Sequence, residues 1–122
     1  MILVVEDTPV FRKFVCTLLG DALGVPVREA ASGEAALPLA SPQTLVVTDL
    51  NMPGMGGLQL IRSLRAEDSC HAIPIVAMSA DPDSRGGAAA LGAGANAFFA
   101  KPFDPKEFVA TVGALMAPTA SS

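Results

Sequence analysis

Short apolar runs alternate with helix-like segments along the chain, and this alternation limits the possible folds more than any other feature. Runs of strand length occupy residues 2–5, 25–30, 44–48, 73–79 and 95–100. The segments between them carry apolar residues at helical spacing, most clearly from Val10 to Ala22. Because a parallel strand needs a crossover helix to return to its sheet, the pattern predicts a doubly wound α/β fold: a five-stranded parallel sheet with helices on both faces.

The length and composition are those of one compact domain. The chain has 122 residues, of which 51% are hydrophobic and 16% are charged, so it resembles a core-forming globule and not a disordered segment. We therefore expect one domain over residues 1–117. Residues 118–122 are small and polar, and we expect them to form a flexible tail.

Charge, cysteine and hydropathy patterns exclude several classes of protein. The net charge is −4 and the eight Lys and Arg residues are scattered, which argues against a nucleic-acid-binding face. Cys16 and Cys70 have no metal-ligand spacing and suggest no disulfide framework, so we expect inert thiols and a cytoplasmic protein. The apolar run at residues 1–5 is followed at once by Glu6 and Asp7, and it is too short for a signal peptide or a membrane span.

Helix starts are predicted where a capping residue precedes a proline, at Thr8–Pro9, Asp81–Pro82 and Asp104–Pro105. The helix that follows Asp81 is predicted to be weak. Gly86 and Gly87 lie in its first half, and each costs about 1 kcal/mol relative to alanine inside a helix.

Polar residues stand at the carboxyl ends of four predicted strands. Glu6 and Asp7 follow the first strand, Asp49 follows the third, Ser79 ends the fourth and Lys101 follows the fifth. Open α/β sheets bind ligands beyond the carboxyl ends of their strands, where the strand order reverses. If the first and third strands are neighbours, these side chains converge in one crevice.

Three carboxylates in one crevice require a cation. Two unit charges about 4 Å apart repel by roughly 4 kcal/mol at an effective dielectric of 20. With only oxygen ligands and no His or Cys nearby, the residues favour a hard ion, Mg²⁺. Together with Lys101 the ion would neutralise a phosphoryl group arriving on an oxygen nucleophile, and Asp49 is the natural nucleophile because it is the single acid at its strand end.

Four motifs occur in order along the chain: VVED at 4–7, DLNMPGMGG at 49–57, MSA at 78–80 and KPF at 101–103. Together they resemble the receiver domain of two-component response regulators, the group that includes the bacterial chemotaxis regulator. The resemblance implies a flavodoxin-like sheet with strand order 2-1-3-4-5. It also implies a phospho-acceptor domain, active in signal transduction or a phosphorelay, that takes a phosphoryl group from a sensor histidine kinase or a histidine phosphotransfer domain.

The resemblance also implies a role for each residue around the metal. Glu6 and Asp7 would bind Mg²⁺ directly or through water. Asp49 would be both a metal ligand and the phospho-acceptor. Asn51 would offer its backbone carbonyl to the metal and, with Asp81, would occupy a position that tunes the lifetime of the acyl phosphate.

The remaining implied roles concern the phosphoryl group and the output. Ser79 would hydrogen-bond one phosphoryl oxygen, and Lys101, before a typically cis Pro102, would pair with another. Phe98 falls at the aromatic switch position. Because Phe98 and Phe99 alternate across the sheet, one of the two rings belongs to the core whichever of them switches. A downstream protein would read the changed surface of helix four, strand five and helix five.

Two other functions stay open at this point. A receiver-like binding module that is never phosphorylated usually lacks an acid, the Ser/Thr or the Lys, and all are present here. A Mg²⁺-dependent aspartyl phosphatase needs a second Asp as general acid two residues beyond the nucleophile, where this chain has Asn51. We expect no metabolic enzyme: the domain would catalyse only its own phosphorylation and dephosphorylation. The output is equally open, as a stand-alone regulator, a phosphorelay intermediate or a receiver from a hybrid kinase.

Overall fold

The computed structural model describes residues 1–80 and 85–116, with side-chain surroundings given for all of these except Arg85 and Gly86. Asp81, with the helix start predicted beside it, and the tail predicted at 118–122 lie outside the described residues.

The centre of the molecule is a five-stranded parallel sheet in the order β2-β1-β3-β4-β5, as predicted. Its strands are β1 (Ile2–Val5), β2 (Val27–Ala30), β3 (Leu45–Asp49), β4 (Ile75–Ser79) and β5 (Ala97–Ala100). Every residue of β1, β3 and β4 is buried, which explains why these strands read as continuous apolar runs.

Helices cover both faces of the sheet. They are α1 (Pro9–Leu23), α2 (Gly33–Ala36), which continues into a 3₁₀ turn at Leu37–Leu39, α3 (Gly57–Ala66), α4 (Arg85–Ala93) and α5 (Pro105–Met116). The core on one face includes residues of α2, α3 and α4, and the core on the other includes residues of α1 and α5. The predicted doubly wound architecture is therefore confirmed. No helix within the described ranges has both the length and the hydropathy needed to cross a membrane.

The helix starts are only partly as predicted. Asp104 precedes α5, and its Oδ1 accepts a hydrogen bond of 2.9 Å from the backbone N–H of Lys106. Thr8 stands at the N-cap of α1, but its side chain makes no capping hydrogen bond, so that part of the prediction is wrong. The start of α1 depends on Pro9, whose fixed φ suits a first helical residue and whose missing N–H needs no partner there.

The two adjacent rings of β5 point to opposite faces of the sheet. Phe99 packs with Phe103 and Phe108 on the α1–α5 face, with ring centroids 5.9 and 5.2 Å away. Phe98 packs into the other core, against α4. A Cβ placed on Gly87 would lie 3.0 Å from Cδ2 of Phe98, so this ring lies directly against the helix backbone.

Candidate functional site

The polar residues predicted to converge do so beyond the carboxyl ends of β1, β3, β4 and β5. Strands β2 and β3 lie on opposite sides of β1, so the strand order reverses between β1 and β3. Asp49 is the last residue of β3 and Ser79 is the last of β4, and both are almost completely buried. Glu6 directly follows β1 and is 0% exposed, and Lys101 directly follows β5.

An ion-pair network joins three of these residues. Nζ of Lys101 donates to Oε1 of Glu6 and to Oδ2 of Asp49, each at 2.8 Å. Burial lowers the pKa of Lys101, but the hydrogen bonds to Asp49 and Glu6 outweigh burial, and the pKa is raised overall. The ammonium therefore stays charged beside the carboxylate of Asp49.

Glu6 is held from several directions. Its Oε1 accepts from Lys101, and its Oε2 accepts a bond of 3.0 Å from the backbone N–H of Thr8. Arg12 Nη1 donates to the Glu6 backbone carbonyl at 2.8 Å. Burial raises the pKa of Glu6, and the bonds from Lys101 and Thr8 oppose this rise without cancelling it. Both carboxylate oxygens of Glu6 thus have partners within the protein.

The acidic residues form a cluster suited to a hard cation. Glu6, Asp7 and Asp49 each offer a carboxylate oxygen, and these oxygens lie within 4.8 Å of one another. Asp7 is half-buried at the mouth of the crevice. Oxygen donors and charge of this kind fit Mg²⁺, so the donor set agrees with the predicted ion.

Ser79 and Asn51 contact each other across the mouth of the crevice. The Ser79 hydroxyl donates to Oδ1 of Asn51 at 2.6 Å, and the Asn51 backbone N–H donates to Oδ1 of Asp49 at 3.0 Å. The structure therefore places both residues next to Asp49. The Asn51 carbonyl as a metal ligand and the Ser79 hydroxyl as a phosphoryl ligand stay predictions.

The loop after β3 brings α3 close to the end of β3. A Cβ on Gly57, the first residue of α3, would overlap the backbone carbonyl of Asp49 and lie 2.7 Å from Cα of Leu50. Only glycine allows this approach. The peptide bond between Lys101 and Pro102 is cis, in agreement with what the resemblance implied.

Two residues of the site were missed from the sequence, Phe11 and Arg12. Nζ of Lys101 lies 4.2 Å from the centroid of the Phe11 ring, and Arg12 Nε also pairs with Glu29 Oε1 at 2.9 Å. Helical spacing alone placed Phe11 in the core. The signal that could have found both residues is their position one turn after the acidic pair, on the helix that starts at the mouth of the crevice.

Comparison with known proteins agrees with this geometry. Residues 2–113 match the model of the response regulator receiver domain family. The chain is 35% identical over 116 residues to the phosphate regulon transcriptional regulatory protein PhoB of Escherichia coli, a match that covers 94% of this chain and 51% of that protein. It is 36% identical over 104 residues to the chemotaxis protein CheY-3 of Vibrio cholerae, covering 84% and 80%. The chain thus spans about half the length of the PhoB proteins that it matches.

Solved structures show the same fold. The receiver domain of NtrX from Brucella abortus superposes with a TM-score of 0.85 at 26% identity, covering 95% of this chain and 98% of that one. The receiver domain of a sensor histidine kinase from Pseudomonas aeruginosa superposes with a TM-score of 0.81 at 28% identity, covering 94% and 95%. That structure has a magnesium ion coordinated in its active site cleft.

Proposed function

This chain belongs to the response regulator receiver domain family, and from that premise we propose that Asp49 accepts a phosphoryl group from a histidine of a partner kinase or phosphotransfer domain. The observation that carries the proposal is the environment of Asp49. Its carboxylate is almost completely buried, it lies 2.8 Å from the Lys101 ammonium, and it shares the crevice with two further acids. A buried acid with this much charge around it is typical of a reactive centre.

Mg²⁺ is the proposed cofactor, and the residues near Asp49 are suited to hold it. Asp7 and Asp49 would be direct ligands, Asn51 would add its backbone carbonyl, and Glu6 would act directly or through water. We favour the route through water for Glu6, because both of its carboxylate oxygens already accept hydrogen bonds within the protein. The bound ion would neutralise charge on the phosphoryl oxygens.

The proposed reaction transfers one phosphoryl group. A carboxylate oxygen of Asp49 forms a bond to phosphorus while the bond from phosphorus to the donor nitrogen breaks and its electron pair returns to the imidazole. Lys101, already 2.8 Å from Asp49, pairs with a phosphoryl oxygen. Hydrolysis later restores the carboxylate and releases inorganic phosphate, so the domain catalyses only reactions of its own side chain.

The proposed response to phosphorylation begins at Ser79. Its hydroxyl would leave Oδ1 of Asn51 and donate to a phosphoryl oxygen. Phe98 would then turn inward, which would change the surface formed by α4, β5 and α5 for a downstream protein. Asn51 and Asp81 would tune how long the acyl phosphate survives.

We place the protein in the cytoplasm, in keeping with the free thiols of Cys16 and Cys70.

An aspartyl phosphatase is less well supported than a phospho-acceptor. Asn51 stands where such enzymes need an acid, and its side-chain oxygen accepts a hydrogen bond from Ser79. A carboxamide in that position supplies no proton to a leaving group.

Mass spectrometry tests the proposal directly. Incubation with Mg²⁺ and either acetyl phosphate or a cognate kinase should add about 80 Da, labile to base, and Asp49→Asn should remove the addition. Asp49→Asn is a near-isosteric control that keeps the volume of the side chain. An unmodified mass with both donors would favour the non-phosphorylated binding module.

A variant of Lys101 tests phosphorylation and the response to it separately. Lys101→Ala should leave phosphorylation possible, at a lower rate, but should prevent the change on the α4–β5–α5 surface. A Lys101→Ala protein that binds its downstream partner as the wild type does after phosphorylation would contradict the role proposed for this lysine.

A further inference from the structure

We infer that Phe11 is a positioning residue for Lys101, a role that rests on the proposed phosphoryl transfer to Asp49. The ring centroid of Phe11 lies 4.2 Å from Nζ of Lys101. An aromatic face attracts an ammonium at this distance, and the attraction strengthens where water is excluded. The Lys101 side chain is 15% exposed, so most of its surface is shielded from solvent.

The geometry around Nζ explains why a ring is useful there. An ammonium has three N–H donors, and the hydrogen bonds to Glu6 and Asp49 use two of them. When Asp49 becomes an acyl phosphate, its hydrogen bond to Lys101 must be exchanged for one to a phosphoryl oxygen. The Phe11 ring takes no part in that exchange, so it holds Nζ at the mouth of the crevice before and after the reaction.

The ring is itself held in place by neighbouring aromatic side chains. Phe14 lies 5.7 Å from Phe11 between centroids, and Phe103 lies 6.0 Å away in an edge-to-face contact. Phe103 stacks on Phe108, which is 0% exposed, at 4.3 Å. The position of the Lys101 head group is therefore connected through Phe11 to the buried core between α1 and α5.

A double-mutant cycle tests whether Phe11 acts through Lys101. Phosphorylation by acetyl phosphate would be followed in the wild type, Phe11→Leu, Lys101→Ala and the double variant. We expect Phe11→Leu to slow phosphorylation about three- to tenfold, and to change the rate less than about twofold when Lys101 is already absent. An equal slowing in both backgrounds, or none in the wild-type background, would overturn the inference.

Matched variants distinguish the aromatic face from simple packing. Phe11→Tyr keeps the ring and should restore the rate to within about twofold of wild type. Phe14→Leu makes the same ring-to-leucine change one turn along the same helix. It removes one ring that borders Phe11 but keeps the Phe11–Lys101 contact, so it should slow phosphorylation clearly less than Phe11→Leu does. Fluorinated phenylalanines at position 11 keep the shape of the ring and weaken its attraction for cations, so the rate should fall stepwise with fluorination even if Phe11→Leu folds poorly. A rate independent of fluorination would show that the ring only fills space.

A spectroscopic measurement separates this inference from the proposed function. In the unphosphorylated protein, the Lys101 side-chain NMR resonances next to Nζ should carry a ring-current shift that Phe11→Leu removes and Phe14→Leu keeps. Absence of that shift would overturn the inference. Failure of the wild type to accept phosphate, with the shift present, would instead contradict the proposed function and leave the contact established.

Discussion

The two faces of strand β5 are packed in opposite ways. On the α1–α5 face, five of the six phenylalanines form an aromatic cluster of interlocking rings: Phe11, Phe14, Phe99, Phe103 and Phe108. On the other face, Phe98 lies against a helix whose residues after Arg85 are Gly, Ala and a single Leu, and that leucine, Leu91, is 51% exposed.

This difference indicates which ring of β5 is able to move. Phe98 and Phe99 are both partly buried, but the Phe99 ring packs against two other rings, Phe103 and Phe108. Its rotation would break both contacts and leave a gap or displace a neighbour. Phe98 lies directly against Gly87, which has no side chain, and packs against a core cluster that includes Ala90 of α4. We therefore expect Phe98 to change rotamer and Phe99 to stay in place.

The largest expected effect is in the aromatic cluster on the α1–α5 face. Phe108 is 0% exposed and stacks on Phe103. Phe108→Ala should lower the free energy of unfolding by about 3–5 kcal/mol, because the surrounding rings cannot refill the volume. Urea denaturation would measure it, with Phe98→Ala as the matched change on the opposite face. Equal losses for the two variants would break the comparison, since partly exposed Phe98 should cost clearly less.

The next effect concerns the response to phosphorylation. Phe98→Leu should remove most of the NMR shift changes that a phosphoryl analogue, beryllofluoride with Mg²⁺, produces in α4. Phe99→Leu should preserve those changes while lowering stability by about 1–2 kcal/mol. If Phe99→Leu were the variant that suppressed the response, the moving ring would be the one on the α1–α5 face.

A smaller effect is expected from two glycines of α4. A Cβ on Gly92 would meet nothing within 4 Å, so Gly92→Ala should stabilise the protein by up to about 1 kcal/mol through helix propensity alone. A Cβ on Gly87 would lie 3.0 Å from the Phe98 ring, so Gly87→Ala should gain less, or lose stability, because the ring must shift. Thermal unfolding of the two variants would compare them. Equal gains would mean that Phe98 moves away from α4 without cost.

The smallest expected change in stability near neutral pH comes from the ionisation of Lys101. Packing of the rings is apolar and independent of pH, whereas the contacts of the Lys101 ammonium are ionic. Because the pKa of Lys101 is raised in the folded protein, the native state keeps this proton longer than the unfolded chain. The stability that the charged Lys101 contributes is present below the unfolded pKa of about 10.4, and it is lost as pH rises through the folded pKa.

Denaturation between pH 8 and pH 12 would measure this loss, with Lys101→Met as the comparison that should lack it. The chain has no tyrosine to titrate in the same range, but burial raises the pKa of the Cys16 thiol, so both proteins should carry Cys16→Ala. An unchanged alkaline slope in Lys101→Met would show that the ammonium contributes no pH-dependent stability.

Much of the fold and the position of the site follow from local patterns. A buried parallel strand reads as a short apolar run, and β1, β3 and β4 are wholly buried, so their positions were predictable. The carboxyl ends of parallel strands share one edge, so Asp49, Ser79 and Lys101 had to approach one another once the strands were ordered. The motifs at those ends then supplied the family resemblance.

Other parts of the site depend on residues far apart in the chain. The contact between Phe11 and Lys101 joins positions 90 residues apart, and the Ser79–Asn51 hydrogen bond joins positions 28 apart. The Thr8 side chain makes no capping hydrogen bond. The backbone N–H of Thr8 donates to the carboxylate of Glu6, which Lys101 also contacts from 95 residues away. Periodicity reports which way a side chain faces but not what it meets.

The sequence by itself determined the alternation of strands and helices, the place of the acids at the strand ends, and the fact that Phe98 and Phe99 face opposite ways. Only the tertiary structure decided that Phe99 enters the aromatic cluster while Phe98 rests on Gly87. The physical reason is that strand geometry is local and repeats every two residues, whereas the partner across each face comes from a helix placed there by the whole fold.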